Sequence, residues 1–186
     1  MILRQLARTF FCTLALTVAA PMLCGQMGDM KSDSAKPLAS PAATATASLG
    51  SATIKIDYNT PSMRGRKIMG GLVPYGQVWR TGANPATTLT TSADMTFGTL
   101  TVPAGTHTIY TLPSEKGWLL IINNQTGQWG TVYDPSKDLG RTPMMSKPMA
   151  AAKELMSISF EKTTATSTQL HVKWETTDEY VTVKLK

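Results

Sequence analysis

The chain has 186 residues, 42% of them hydrophobic and 16% charged, which is enough apolar side chain to offset the entropy of one folded domain and excludes wholesale disorder. The formal net charge of +6 raises the question of an acidic partner, while 2 cysteines and 2 histidines are too few for a disulfide framework or a zinc-ligand set.

The first predicted element is a signal peptide over residues 1–25. Arg4 and Arg8 give a basic start, Thr9 to Ala20 an apolar run, and Pro21 with Cys24-Gly25 a cleavage region, the anatomy of a secretory signal. The run falls short of the roughly 20 residues a permanent membrane helix needs, and no later stretch is long enough to span, so no transmembrane segment is expected in the mature protein. Export to the periplasm or out of the cell follows. Lipidation at Cys24 is an alternative, against which Pro21-Met22-Leu23 is a poor match to the small residues that normally precede a lipidated cysteine. Loss of the signal removes Arg4 and Arg8, leaving 16 basic residues against 12 acidic ones, or +4. It also removes Cys12 and Cys24, so the mature protein has neither disulfide nor thiol and is held by packing alone.

Residues 26–48 are rich in Ala, Ser, Thr and Pro and carry no clear apolar period, which predicts a disordered linker. From 49 to 186 Thr, Val and Ile are frequent, and Gly and Pro recur at short intervals. Ala52, Ile54, Ile56 and Tyr58 alternate with Thr53, Lys55 and Asp57, the pattern of a half-buried strand. Further strands are predicted over Thr87–Thr91, Met95–Val102, His107–Leu112 and Trp118–Asn123. Three more are marked by Met156/Ile158/Phe160, Leu170/Val172/Trp174 and Val181/Val183/Leu185, which form an antiparallel meander. Met149 to Leu155 is the only helical candidate. About eight antiparallel strands predict an all-β fold, a single β-sandwich of jelly-roll-like or Ig-like kind, since one open sheet would leave an apolar face wet.

The segments GRKIMGGLVPYGQVWRTGAN, VPAGTHTIYTLP and WGTVYDPSKD, in that order within residues 47–186, are similar to the bacterial family called domain of unknown function 2911. The resemblance implies an exported, mostly β domain and supplies no substrate, cofactor or catalytic residue. Where relatives commonly carry an acid after RTGAN, this chain has Pro85.

Nucleophilic catalysis with a histidine base would have to use His107 or His171. His171 alternates with Leu170 and Val172, so it is expected on the exposed face of its strand, and His107 follows the Pro103-Ala104-Gly105 turn with ambiguous parity. Neither predicts a metal site, and no cofactor is expected. A carboxylate pair for sugar hydrolysis would be Asp134 and Asp138, although Asp134 precedes Pro135 as turn-starting aspartates do. Arg64, Arg66 and Lys67 form the densest positive patch and suit phosphate or an anionic polysaccharide. Nucleic acid is not expected for an exported chain, and this one loop accounts for much of the +4.

Trp79, Trp129 and Tyr133, with Arg80, Asn84 and Arg141 close by in sequence, supply the aromatic bodies and polar groups of a ligand pocket. The competing reading makes the two tryptophans core and pairs Arg80 with Asp138. Trp118 and Trp174 fall within strand patterns and are expected in the core. The favoured expectation is a non-catalytic domain that binds a carbohydrate or other small polar or anionic ligand, or a partner, through Arg64, Arg66, Trp79, Arg80, Asn84, Trp129, Tyr133 and Arg141. Two alternatives stand beside it: an envelope or carbohydrate hydrolase, with Asp134, Asp138 and His107 as candidates, and a structural component of the envelope.

Overall fold

A computed structural model describes residues 39–186. The predicted signal over 1–25 and most of the predicted linker lie outside the described residues. Twelve strands run in chain order: β1 (Ala42–Leu49), β2 (Ala52–Asn59), β3 (Thr87–Thr91), β4 (Met95–Phe97), β5 (Leu100–Val102), β6 (Gly105–Leu112), β7 (Leu119–Asn123), β8 (Asp138–Pro143), β9 (Met145–Ser146), β10 (Lys153–Glu161), β11 (Ser167–Glu175) and β12 (Thr177–Leu185). They form two separate antiparallel sheets, one ordered β1-β2-β3-β6-β7-β8 and the other β10-β11-β12-β4-β5, with β9 paired to β12. The fold is an all-β sandwich rather than a closed barrel.

The alternation read from the sequence sets the faces. Ile54 and Ile56 on β2, Leu89 on β3, Ile109 on β6 and Leu120 on β7 point inward, and against them pack Met156 and Ile158 on β10, Leu170, Val172 and Trp174 on β11, and Val181 and Val183 on β12. Burying each such side chain contributes on the order of 1.5–3 kcal/mol. The Tyr58 hydroxyl, under this seam, donates across it to the Ile158 carbonyl at 3.2 Å.

Several boundaries differ from expectation. The segment expected to be linker as far as 48 contributes β1, which pairs along its whole length with β2, from Ala42↔Asn59 to Leu49↔Ala52. Its inward residues are Ala43, Ala45 and Ala47, whose small side chains carry the period of two too faintly to read as strand. The stretch Met95–Val102 is two strands folded at Gly98, which has φ 57. Asp138–Pro143 joins the first sheet as an edge strand against β7. Met149–Leu155 is not helical: Pro148 ends the preceding segment, β10 starts at Lys153, and the one helix among the described residues is the short 3-10 turn Pro135–Lys137.

Two excursions leave the sheets. The first runs from Thr60 to Ala86 between β2 and β3, far beyond the roughly 12–15 residues above which a structured domain's loop usually has a function. Met63 N–H donates to the Glu154 carbonyl at 2.9 Å, and the Glu175 carboxylate accepts from the backbone of Ile68 and Met69 at 3.3 and 3.1 Å. Trp79 exchanges two backbone bonds with Thr111 of β6, at 2.8 and 2.9 Å. The second excursion, Asn124 to Lys137, lies over β6 and β7, where Tyr110 donates to the Val132 carbonyl at 2.9 Å and Thr108 to that of Gln125 at 2.7 Å. This cover explains why β6 is buried on both faces.

Candidate functional site

Trp79 is the hinge of the site. Its indole stacks on Trp174 of β11, with centroids 5.8 Å apart and 19° between planes, and meets the edge of Trp118 at 6.0 Å and 88°. Trp118 and Trp174 are core residues, as expected. Trp79 is only partly buried and forms, with Leu72 and Arg80, a wall common to two cavities. The first has a volume of about 340 Å³ and is bordered also by Ser40, Arg66, Asn84 and Trp174. The second, about 230 Å³, is bordered by Gln77, Tyr110, Gly130, Thr131 and Tyr133. The larger falls at the lower end of the roughly 300–1,000 Å³ usual for ligand pockets.

Arg80 is aimed by its neighbours. Thr81 is wholly buried yet has φ 52, a left-handed conformation that is unusual for a β-branched residue. It is held there by a bond between its hydroxyl and that of Thr111 at 3.1 Å and by the Thr87 hydroxyl donating to its carbonyl at 3.0 Å. Asn84, with φ 60, completes the turn, and Gly130 N–H donates to its carbonyl at 3.1 Å. Among the described residues the Arg80 guanidinium makes no hydrogen bond or ion pair, and its Nε is buried without a partner. An unpaired arginine facing a cavity is chemically suited to an anion, because a carboxylate or phosphate can take two parallel N–H bonds from a guanidinium. Arg66, on the first cavity, spends Nε and one terminal nitrogen on the carbonyls of Met63 and Ser62 at 2.9 and 2.7 Å. Among the described residues no Asp or Glu borders either cavity.

The other expected residues are distributed as follows. Arg64 lies outside both cavities, with a bond from its guanidinium to the Ala39 carbonyl at 3.1 Å. Trp129 is outside as well, 53% exposed, its backbone bridged to Pro85. Tyr133 borders the second cavity, but its hydroxyl donates to Asp138 at 2.6 Å. Burial, and next the Asp138 carboxylate, push this phenol up to about 12. Arg141 donates to the same Asp138 oxygen from Nε and a terminal nitrogen, at 3.2 and 2.9 Å. The other Asp138 oxygen accepts from Asn123 at 2.9 Å. The partner of Asp138 is therefore Arg141 rather than Arg80.

Asp134 caps the 3-10 turn, accepting from Ser136 N–H and Oγ at 2.9 and 2.7 Å, and the Ser136 bonds hold its carboxyl below the ordinary value. Both aspartates are thus occupied in local structure. His107 is buried, one ring nitrogen against Asn124 at 3.2 Å and the other against the Pro103 carbonyl at 3.1 Å.

His171 corrects the expectation of an exposed face, being only 1% exposed. Its Nδ1 lies 2.6 Å from Asp178 and its Nε2 3.6 Å from Glu161, the ring stacks on Tyr180, and Lys173 bonds to Glu161. The outward faces of β10, β11 and β12 carry a packed ionic network there, which period-two alternation reads as a wet face. Sequence reasoning also missed Leu72, Gly130 and Trp174 as parts of the cavities. Only the proximity of Gly130 to Trp129 in a shared motif hinted at its position. Among the described residues no group of three or more His, Cys, Asp or Glu is placed to hold a metal ion, and no helix is long and apolar enough to cross a membrane.

The family described as Protein of unknown function (DUF2911) matches residues 40–183. The chain belongs to this family. Its matched span takes in every strand from β1 to β11, most of β12, and both excursions that border the cavities. No curated protein and no solved structure matches the chain. The family description names no reaction or ligand, so the cavities and their side chains are what speak to function in this member.

Proposed function

We propose that this DUF2911 member is an exported, non-catalytic domain that binds a small polar, negatively charged ligand, carbohydrate among them, in the cavities on either side of Trp79 and Arg80. The observation that carries the reading is the Arg80 guanidinium: among the described residues it faces a cavity without a partner, and the cavity lining holds a second arginine and no carboxylate. Leaving such a group unpaired is costly when it is partly desolvated, and a bound anion removes that cost. Export rests on the basic start, apolar run and small-residue cleavage region of residues 1–25.

The test is a thermal-shift and calorimetric screen of the purified protein against acetate, phosphate, sulfate, uronic acids and neutral sugars. A ligand that binds the native state alone raises the melting temperature by mass action, about 2.7 kcal/mol of stabilisation at a hundredfold excess over Kd. Arg80→Gln is expected to remove the response to anions while leaving the unliganded melting temperature close to that of the parent. If every anion in the panel leaves the melting temperature unmoved, the reading fails.

A further inference from the structure

The binding reading above leaves the ligand's class open, and the shape of the site narrows it. We infer that the ligand is a linear, uronate-bearing oligosaccharide that lies across both cavities, one carboxylate held at Arg80.

Three observations carry this. The cavities share Leu72, Trp79 and Arg80 as their common wall, so a group bound at Arg80 from one side has the second cavity immediately beside it. The smaller cavity, about 230 Å³, lies below the usual range for a self-sufficient ligand pocket, roughly 300–1,000 Å³, and serves better as the subsite of a longer molecule. The charge is also uneven. Among the described residues Arg66 and Arg80 both border the first cavity, whereas Arg80 is the one charged residue on the second, whose other polar side chains include Gln77, Thr131 and Tyr133. A ligand that fits has one acidic group near the wall and hydroxyl-rich units to either side.

The lining separates a sugar chain from other anions. Among the described residues neither cavity is bordered by a lysine, and the planar guanidinium fork matches a planar carboxylate with two parallel bonds. Trp79 and Tyr133, both only partly buried, offer ring surface for the apolar sides of pyranose rings, and Gln77 and Thr131 offer partners for hydroxyls. One mode of peptide recognition adds an extended strand to an open sheet edge through main-chain bonds. These cavities are instead bordered mostly by residues of the two excursions; among the described residues, strands contribute Tyr110 and Trp174.

The experiment is titration calorimetry of the purified full chain with galacturonic acid, its linear trimer, and the fully methyl-esterified trimer. The acidic trimer is expected to bind about tenfold or more tightly than the monomer, and the ester, which keeps the shape and loses the charge, about tenfold or more weakly than the acid; each tenfold step is about 1.4 kcal/mol. Arg80→Gln is expected to abolish the difference between acid and ester, with Arg80→Lys intermediate because charge persists without the fork. Thr131→Trp, at an exposed position on the second cavity, is expected to bring the trimer down to the affinity of the monomer. Circular dichroism of each variant confirms folding. Equal affinity of ester and acid, or of monomer and trimer, overturns the inference, as does absence of binding by every uronate. If phosphate or an acidic peptide instead binds with dependence on Arg80, the uronate inference falls and anion binding stands; if no anion binds, both fall.

Discussion

The stem of Arg80 lies against the backbone of Gly130, where an added Cβ would come within 2.4 Å of Arg80 Cδ and 2.8 Å of the Asn84 carbonyl oxygen. The first obstacle is the flexible part of a side chain, whereas the second is backbone in a turn already strained by Thr81 and Asn84, at on the order of 1–3 kcal/mol for each such residue. Gly130→Ala is therefore expected to destabilise the fold by about 1–3 kcal/mol, as overpacking does, and to weaken anion binding by turning the guanidinium away. Chemical denaturation with a parallel binding titration checks both effects. A loss of stability without loss of binding would show that Arg80 re-seats itself. Residues of this kind explain how far the site was legible. Trp79, Arg80 and Asn84 were readable because aromatic and polar types crowd one motif. Gly130 was not, because its role is to have no side chain at a point fixed by two distant loops.

Strands whose faces are read by alternation fail in a consistent way where both faces are covered. β2 carries large apolar residues every second position and was plain, and β1 carries alanines and was not. On β11 and β12 the alternation was correct for the core side, yet the opposite side holds His171, Asp178 and Tyr180 packed into an ionic network. On the core side of β12, Glu179 is buried and accepts from the Ser146 hydroxyl at 2.6 Å, while its other oxygen has no partner among the described residues. Burial is the main cause that pushes its carboxyl above the ordinary 4.5. The folded state therefore holds this proton more tightly than the unfolded chain, and Glu179 costs stability as pH rises through its folded value. Glu161 on β10 behaves oppositely, since the hydrogen bond from Lys173 is the largest of the causes holding it below 4.5. Its stabilisation is present above the unfolded value and lost as pH falls through the lower folded one. Thermal melts across pH are expected to show Glu179→Gln more stable than the parent at neutral pH, with the advantage vanishing in acid. Glu161→Gln is expected to be less stable at neutral pH and to converge with the parent in strong acid.

Across the whole molecule the candidate site is built by excursions rather than by strands, and it is joined to the framework through Trp79, which stacks on the core residue Trp174. The overall class was legible because most strands announce themselves by period and punctuation, although β1, β8 and β9 do not. Of the pairing order only the C-terminal meander β10-β11-β12 was legible; the rest depends on which strands cross between sheets, and no local pattern records that. The tryptophan arrangement has an optical consequence. Of the 4 tryptophans, three sit in one cluster with centroid separations of 5.8 and 6.0 Å, close enough for their excited states to couple, while exposed Trp129 stands apart. The folded protein is expected to show a coupled pair of bands of opposite sign in its aromatic circular dichroism, reduced by Trp79→Phe and unaffected by Trp129→Phe. Because Trp79 borders both cavities, the same bands would serve as a built-in reporter of occupancy, read without any label.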